Sequence, residues 1–280
     1  MWIRYKRLLR ICTLVFLLCI IIYAEYKRAH HRNLAPTKPR LSIITSVWNG
    51  DEFIKGFLAN ITQQTLFKES ELILINANSP GNEEPIIKRY MERYPNIIYL
   101  RLPQDPGLYS IWNRAIQIAS ADFVTNANLD DRSRPDSHEL HVKELEKHPE
   151  IDLVYSGFYV TFTPNDTFDS EPIAIVDTPE FSVENTVICL PGPRPVWRKS
   201  MHTRFGYFDE TFVSAADYAM WVRAVSLGST FKKIPGYLTL FYLNPDGVST
   251  NNDQQKSYVR DLENELIIQR YNYLWEQEEF

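Results

Sequence analysis

The sequence predicts an α/β domain: a mostly parallel, Rossmann-like sheet flanked by helices. Three observations lead there. Between residues 41 and 126, short apolar β-rich runs alternate with stretches of helical spacing, joined by short connections. Polar residues stand just after the strand-like runs, where open α/β sheets bind their ligands. The chain of 280 residues is 44% apolar, enough to bury a sizeable core.

The ordered body begins at "LSIITSV" (41–47), a run of the kind buried in a parallel sheet. "DEFIKGFLANITQQT" has helical spacing, "ELILINA" reads as a strand, "EEPIIKRYMERY" as a helix and "NIIYLRL" as a strand. In "LYSIWNRAIQIAS" Leu108, Trp112, Ala115, Ile116 and Ala119 share one helical face, as a helix covering a sheet requires. "DFVTNA" is the next strand. Asn49, Asn76, Asp105 and the group Asn128 to Asp131 each follow a predicted strand, so one rim is expected to gather them.

The second half is less regular. "SHELHVKELEKH" predicts an amphipathic helix whose charges surround it, which places His138 and His141 in solvent. "DLVYSGFYVTF" is a strand, 163–185 a polar excursion and "CLPGPRPVWRKS" a rigid loop. A helix is expected from about Asp217 to Leu227, a strand at "LTLFYL" and a closing helix in "QKSYVRDLENELIIQRYNYLW".

The first forty residues stand apart. A basic tail (1–10) precedes an uncharged, apolar segment (Ile11 to Ala24) that reads, with its flanks at 11–26, as a short transmembrane signal-anchor. Its apolar length is just short of the roughly 17–25 residues that span a bilayer, unless Arg10 and Tyr23 reach the interfaces. A cleaved secretory signal shares the basic start and apolar centre, but no small-x-small pattern precedes Glu25. Residues 27–40, with prolines and charges, read as a stem. Positive charges on the two flanks nearly balance, so charge leaves the orientation open.

Residues 1–40 hold nine of the 30 Lys and Arg and one of the 35 Asp and Glu, leaving 21 against 34, about −13, for the body. That excludes nucleic-acid binding by bulk field, and a phosphate-bearing ligand would need a local cation to approach. Only Cys189 lies in the body, which excludes an internal disulfide there. Asn60-Ile61-Thr62 and Asn165-Asp166-Thr167 are glycosylation sequons.

Asp130 and Asp131, adjacent at a strand end and followed by Arg132, suit a hard divalent cation with Asn128 as a neutral oxygen donor. On spacing alone they read equally as a turn that Arg132 neutralises. Asp217 likewise reads alone as a helix cap, a role Ser214 could also fill.

The blocks "LSIITSVWNGDEFI", "LINANSPGN", "DPGLYSIWNRAIQIASADFVTNANLDD", "GYFDETFVSAADYAMWVRA" and "NPDGVS" resemble, in order and spacing, those of family 2 glycosyltransferases with the GT-A fold, over about residues 41–250. The resemblance implies a glycosyltransferase domain at 41–280. Its nucleotide-sugar-binding half would be 41–131, its acceptor and catalytic half 132–250, and its C-terminal helix 251–280.

It also implies inverting transfer of a hexosyl or N-acetylhexosaminyl group from a UDP- or GDP-linked sugar to a hydroxyl. Mn or Mg would rest on a DxD-type motif, Asn128-Leu129-Asp130-Asp131, with Asn where the first Asp often stands. Asp130 would carry the metal with Asp131 as ligand or neighbour, and Asp217 would be the general base, with Ala216 in place of an acidic neighbour. Ser46, Trp48 and Asn49 would border base and ribose, and Asn76 stands where relatives often carry Asp. Asp105 and Gly107 would form the loop before a helix on which Asn113 faces the donor.

Pro193, Arg194 and Trp197 would border an acceptor that is a glycan or is lipid- or protein-linked, and Trp221 is expected in the core. His202 is a further candidate near metal or acceptor. A type II membrane protein of Golgi or ER, or a bacterial inner-membrane enzyme facing the cytoplasm, fits the anchor. Two alternatives stand beside this: a nucleotidyltransferase, although "SVWNGDEF" lacks a Gly-rich phosphate loop, and a non-catalytic carbohydrate-binding or scaffolding derivative.

Overall fold

The structure, a computed structural model, describes residues 38–251 and 253–276, and from Pro39 these form one compact unit. The tail, the expected anchor at 11–26 and most of the stem lie outside the described residues. Among the described residues no helix is long and apolar enough to cross a membrane.

The elements run β1 (Leu41–Val47), α1 (Ile54–Thr62), β2 (Ser70–Asn76), α2 (Glu84–Arg93), β3 (Ile97–Arg101), α3 (Leu108–Ile118), β4 (Phe123–Asn126), β5 (Arg132–Ser133) and α4 (Ser137–Lys147). They continue with β6 (Leu153–Thr161), β7 (Ala174–Val176), β8 (Val196–Arg198), α5 (Met201–Phe205), α6 (Ala216–Ser226), β9 (Phe231–Tyr242) and α7 (Gln254–Tyr271). The sheet order is β3-β2-β1-β4-β8-β6-β9-β5, with β7 on β6.

Strands β1 to β4 pair in parallel, as the β-α alternation requires. Beyond β4 the sheet is mixed: β8 runs antiparallel to both β4 and β6, β5 runs antiparallel to β9, and only β6 and β9 pair in parallel. The expectation of a mostly parallel sheet therefore holds for the first half alone. The segment expected to be a rigid loop at "CLPGPRPVWRKS" contributes β8 to the middle of the sheet, where Val196 and Trp197 pair with Thr125 and Val124, respectively, on one side and with Val154 and Leu153 on the other.

Alternation along β1 divides the core between the two faces. Leu41, Ile43 and Val47 join Phe57, Leu58 and Val142 beneath α1 and α4, while Ile44 joins Trp112, Ile116, Trp197 and Trp221 beneath α3 and α6. Trp221 is thus in the core, as expected. Trp197, expected at the acceptor, is wholly buried, and its indole N–H donates to His202 Nε2 at 2.9 Å. His202 accordingly serves the core, stacked on Tyr207, and not a metal or acceptor.

His138 and His141 are also buried. The inward face of α4 is Ser137, His138, His141, Val142 and Leu145, so the two imidazoles pack inside while the charged residues and part of Leu140 meet water. Burial holds His138 down at about 3, and His141 and His202 at about 4, so all three are neutral at pH 7.

The chain moves outward from β1 through β2 to β3, then returns to place β4 on the other side of β1. At that reversal the loops leaving β1 and β4 diverge and open a crevice beyond their carboxyl ends. Asn126, the last residue of β4, pairs with Ile44 of β1.

Candidate active site

A cleft of about 830 Å³ opens at this reversal. One wall is the end of β1, with Ser46, and the loop after it, with Trp48 and Asn49; the floor is the last residue of β4, Asn126, and the turn that follows, with Asn128 and Asp130. Tyr109 and Trp112 of α3 and Asp217 of α6 face them, and the segment 244–250 with Arg260 of α7 closes the remaining side. Asp130 and Asp217, 87 positions apart in sequence, thus share one cavity.

The loop after β1 is held by a buried acid. Glu83 accepts from the backbone N–H of Gly50 at 2.7 Å and from Ser79 Oγ at 2.7 Å, while Ser79 Oγ accepts from Asn49 N–H at 2.9 Å. Gly50 lies so close to the neighbouring wall that an added Cβ would sit 2.3 Å from Leu129 Cδ1, and any larger residue there would have to push that side chain aside. Trp48 is left 49% exposed at the rim, its ring available for stacking.

The Asn128 to Asp131 turn splits its two carboxylates. Asp130 faces the cleft and accepts from Asn244 Nδ2 at 2.8 Å. Asp131 is 1% exposed and turns inward, accepting from Tyr242 N–H at 3.1 Å and Asn128 Nδ2 at 3.4 Å. It ties the turn to the end of β9.

Burial, and then the charge of Asp130, raise Asp131 to about 7. Two buried arginines hold the backbone around it. Arg132 donates to the carbonyls of Leu129 and Asp131, and Arg194 to those of Asn128 and Asp131 and to Ser133 Oγ. Arg194, expected to border an acceptor, is instead part of this scaffold, while Pro193 beside it does line the cleft.

Asp217 stands partly exposed in the first turn of α6. Its Oδ1 accepts from Tyr109 O–H at 3.2 Å and from Tyr218 N–H at 2.9 Å. Desolvation raises its carboxyl above the usual range, with these two hydrogen bonds opposing. A carboxylate so placed takes up a proton more readily than one in water.

Four of the expected donor-side residues lie elsewhere. Asn76 is fully buried and its Oδ1 accepts from Ser79 N–H at 2.8 Å, shaping the turn after β2. Asp105 accepts from Gly107 N–H at 2.8 Å, and Gly107, at φ 90°, sets the entry to α3; neither lines the cleft. Asn113 faces away, donating to Phe208 O and Glu210 Oε1 and accepting from Phe208 N–H. Tyr109, Asn244 and Arg260 went unnoticed in the sequence. Asn244 could have been found, since "NPDG" follows a strand in the manner of the other rim residues.

Five carboxylate residues line the cleft, Asp51, Glu52, Asp130, Asp217 and Asp246, against one cation, Arg260. Such a surface repels a diphosphate unless a cation intervenes. Asn244 turns its amide nitrogen to Asp130 and its oxygen to Asp246 N–H, so Asp130 with the side-chain oxygen of Asn128 makes the all-oxygen donor set. That set suits a hard divalent ion whose remaining positions go to water and phosphate. Among the described residues no three His, Cys, Asp or Glu converge, so the protein would supply only part of the shell.

A mixed sheet with a crevice at its reversal point, a carboxylate on its floor and another on its wall is the arrangement that the resemblance to GT-A glycosyltransferases leads one to expect. The chain matches the model of glycosyl transferase family 2 over residues 42–206, and it belongs to that family. It is 25% identical over 228 residues to an uncharacterized glycosyltransferase of Methanocaldococcus jannaschii, covering 79% of this chain and 77% of that one. It is 27% identical over 243 residues to the chondroitin synthase of Pasteurella multocida, covering 84% of this chain but only 24% of that enzyme.

Among solved structures it resembles residues 1–349 of S. aureus TarS in complex with UDP-GlcNAc, at a TM-score of 0.64 and 17% identity, covering 83% of this chain and 67% of that one. A mannosyltransferase of Pyrobaculum calidifontis in complex with GDP-Man and Mn2+ gives a TM-score of 0.58 at 17% identity, covering 76% and 59%. At that identity the likeness shows the fold.

Proposed function

We propose that the chain is a membrane-anchored, metal-dependent, inverting glycosyltransferase that moves a sugar from a nucleoside-diphosphate donor to an acceptor hydroxyl. The observation that carries this reading is the single cleft shared by Asp130, Asp217 and Trp48. The donor stacks its base on Trp48 and lays its diphosphate across the β1–β4 reversal. Asp130, with the oxygen of Asn128, would hold a Mn2+ or Mg2+ ion, and Asn244 orients the Asp130 carboxylate through its Nδ2. That ion, when bound, offsets the charge that develops on the departing diphosphate.

Asp217 accepts the proton of the attacking hydroxyl as its oxygen bonds to the anomeric carbon and the bond to the diphosphate breaks on the opposite face. Tyr109, bonded to Asp217 Oδ1, leaves the other oxygen for this proton. The ligands named for the two solved relatives, UDP-GlcNAc and GDP-Man, support a nucleotide sugar as donor and a hexosyl or N-acetylhexosaminyl group as cargo. The apolar segment at 11–26 would hold the domain on a membrane, in a Golgi or ER lumen or on a bacterial inner membrane.

The test uses the full chain with UDP-GlcNAc or GDP-Man and MnCl2, reading release of nucleoside diphosphate. Asp217→Asn is expected to lower kcat by about 10²–10⁴, and Asp130→Ala to remove the Mn2+-dependent thermal stabilisation by UDP. Wild-type turnover in Asp217→Asn would refute the assignment of the base.

A further inference from the structure

Helix α6, which carries Asp217, begins without an N-cap of its own: the N-cap residue is Ala215, which has no side-chain acceptor, and within the first turn Asp217 Oδ1 reaches Tyr218 N–H but not the residues before the helix. The missing acceptor comes from 48 positions further along the chain. Glu263 of α7 is only 7% exposed, and both its oxygens point at the turn entering α6. Oε1 accepts from Val213 N–H at 2.5 Å; Oε2 accepts from Ser214 N–H at 2.9 Å, Ser214 Oγ at 3.0 Å and Ala215 N–H at 3.0 Å.

Four hydrogen bonds to one buried carboxylate fix the backbone two residues before Asp217. An anion at a helix N-terminus is favourable in itself. Around it Ala215, Tyr218, Ala219 and Val222 of the α6 region pack on Ile267 of α7. Resting on the proposed role of Asp217 as base, we propose that Glu263 is a positioning residue for the reaction, setting the height and direction of the Asp217 carboxylate over the cleft from the C-terminal helix.

The groups facing Asp217 are Tyr109 O–H from α3, Cys189 from the loop before β8, Tyr218 N–H on its own helix and Glu263 from α7. Of these only Glu263 brings a second negative charge, and it contributes to holding the Asp217 carboxyl up. Its removal should move the acid limb of the kcat/KM profile to lower pH, which loss of packing alone would not do.

The experiment compares Glu263→Gln, which preserves size, and Ser214→Ala, which removes one of the four bonds, with the unmodified full chain. Amide hydrogen exchange over 213–219 is expected to quicken in Glu263→Gln and less so in Ser214→Ala. With UDP-GlcNAc or GDP-Man and MnCl2, kcat in Glu263→Gln should fall about ten- to a hundredfold, with donor KM within about twofold, because a misplaced catalytic group costs the chemical step. Unchanged exchange, or wild-type kcat with an unmoved acid limb, overturns the proposal. Asp217→Asn, run alongside, judges the base separately: if it retains full turnover the base assignment fails, while the exchange data still decide whether Glu263 holds the turn.

Discussion

Replacing Arg194 with methionine keeps most of its aliphatic bulk and deletes the guanidinium that braces the Asn128 to Asp131 turn. Arg194 is 4% exposed and sits at φ 58°, a left-handed conformation that costs a non-glycine residue about 1–2 kcal/mol. Its neighbours hold it there. Two acceptors lose this donor in the variant, Ser133 Oγ at 2.7 Å and Asn128 O at 2.8 Å, and Asp131 O, which Arg194 reaches at 2.9 Å, keeps Arg132 alone.

Orphaned buried acceptors cost about 1–3 kcal/mol each, not additively, and Asp131 also loses one of its two cationic neighbours. Breaking a buried charge arrangement from one side costs about 3–5 kcal/mol, and that is the loss expected in equilibrium urea unfolding followed by tryptophan fluorescence. Against a typical stability of about 5–15 kcal/mol the shift in midpoint is large. A loss below about 1 kcal/mol would refute the view that Arg194 braces the turn bearing Asp130.

Acidification should also destabilise the fold. His138, His141 and His202 have folded pKa values below the ordinary 6.5, so as pH falls the unfolded chain takes up their protons first. Their contribution is present above 6.5 and is lost towards pH 4. Asp131 and Asp217, both raised, act in the opposite sense over part of this range. The net slope near pH 5 is about 1.4–2.7 kcal/mol per pH unit, one to two protons' worth. A melting temperature flat from pH 7 to pH 5 would contradict it.

Both sequons are structurally occupied. Asn60 bonds the N–H and carbonyl of Ser133, and Asn165 bonds Arg132 and Glu52 O. The folded protein secreted from a glycosylating cell is therefore expected to show no gel shift on endoglycosidase treatment, and Asn60→Ala should lower stability by about 1–3 kcal/mol.

The β-α alternation from Leu41 to Asn126 was legible because each element there follows its own period and the connections are short. Strand β8 was not, since three residues preceded by a run of prolines carry no period and owe their pairing to neighbours on both sides. In α4 the charges masked the pattern Ser137, His141, Leu145 with His138 and Val142, although its spacing was there to be read. Trp197 and Arg194 looked like surface residues of a Pro-rich loop because burial of that loop is a tertiary fact.

Of the site, Asp130, Asp217, Trp48 and Asn49 are where chain order placed them, at strand and helix ends. Glu263 was invisible, because in α7 Leu262 and Leu266 are exposed while a glutamate is buried, the reverse of what apolar periodicity expects. Only its partners across 48 positions explain it.

The cleft is assembled from unequal halves of the chain. Its floor and one wall come from the stretch that matches the family, while β9, the 244–250 segment and α7 build the opposite side from beyond residue 206. The two facing carboxylates therefore have separate origins, Asp130 inside the matched stretch and Asp217 after it, so substitutions beyond residue 206 reach the cleft without touching its floor.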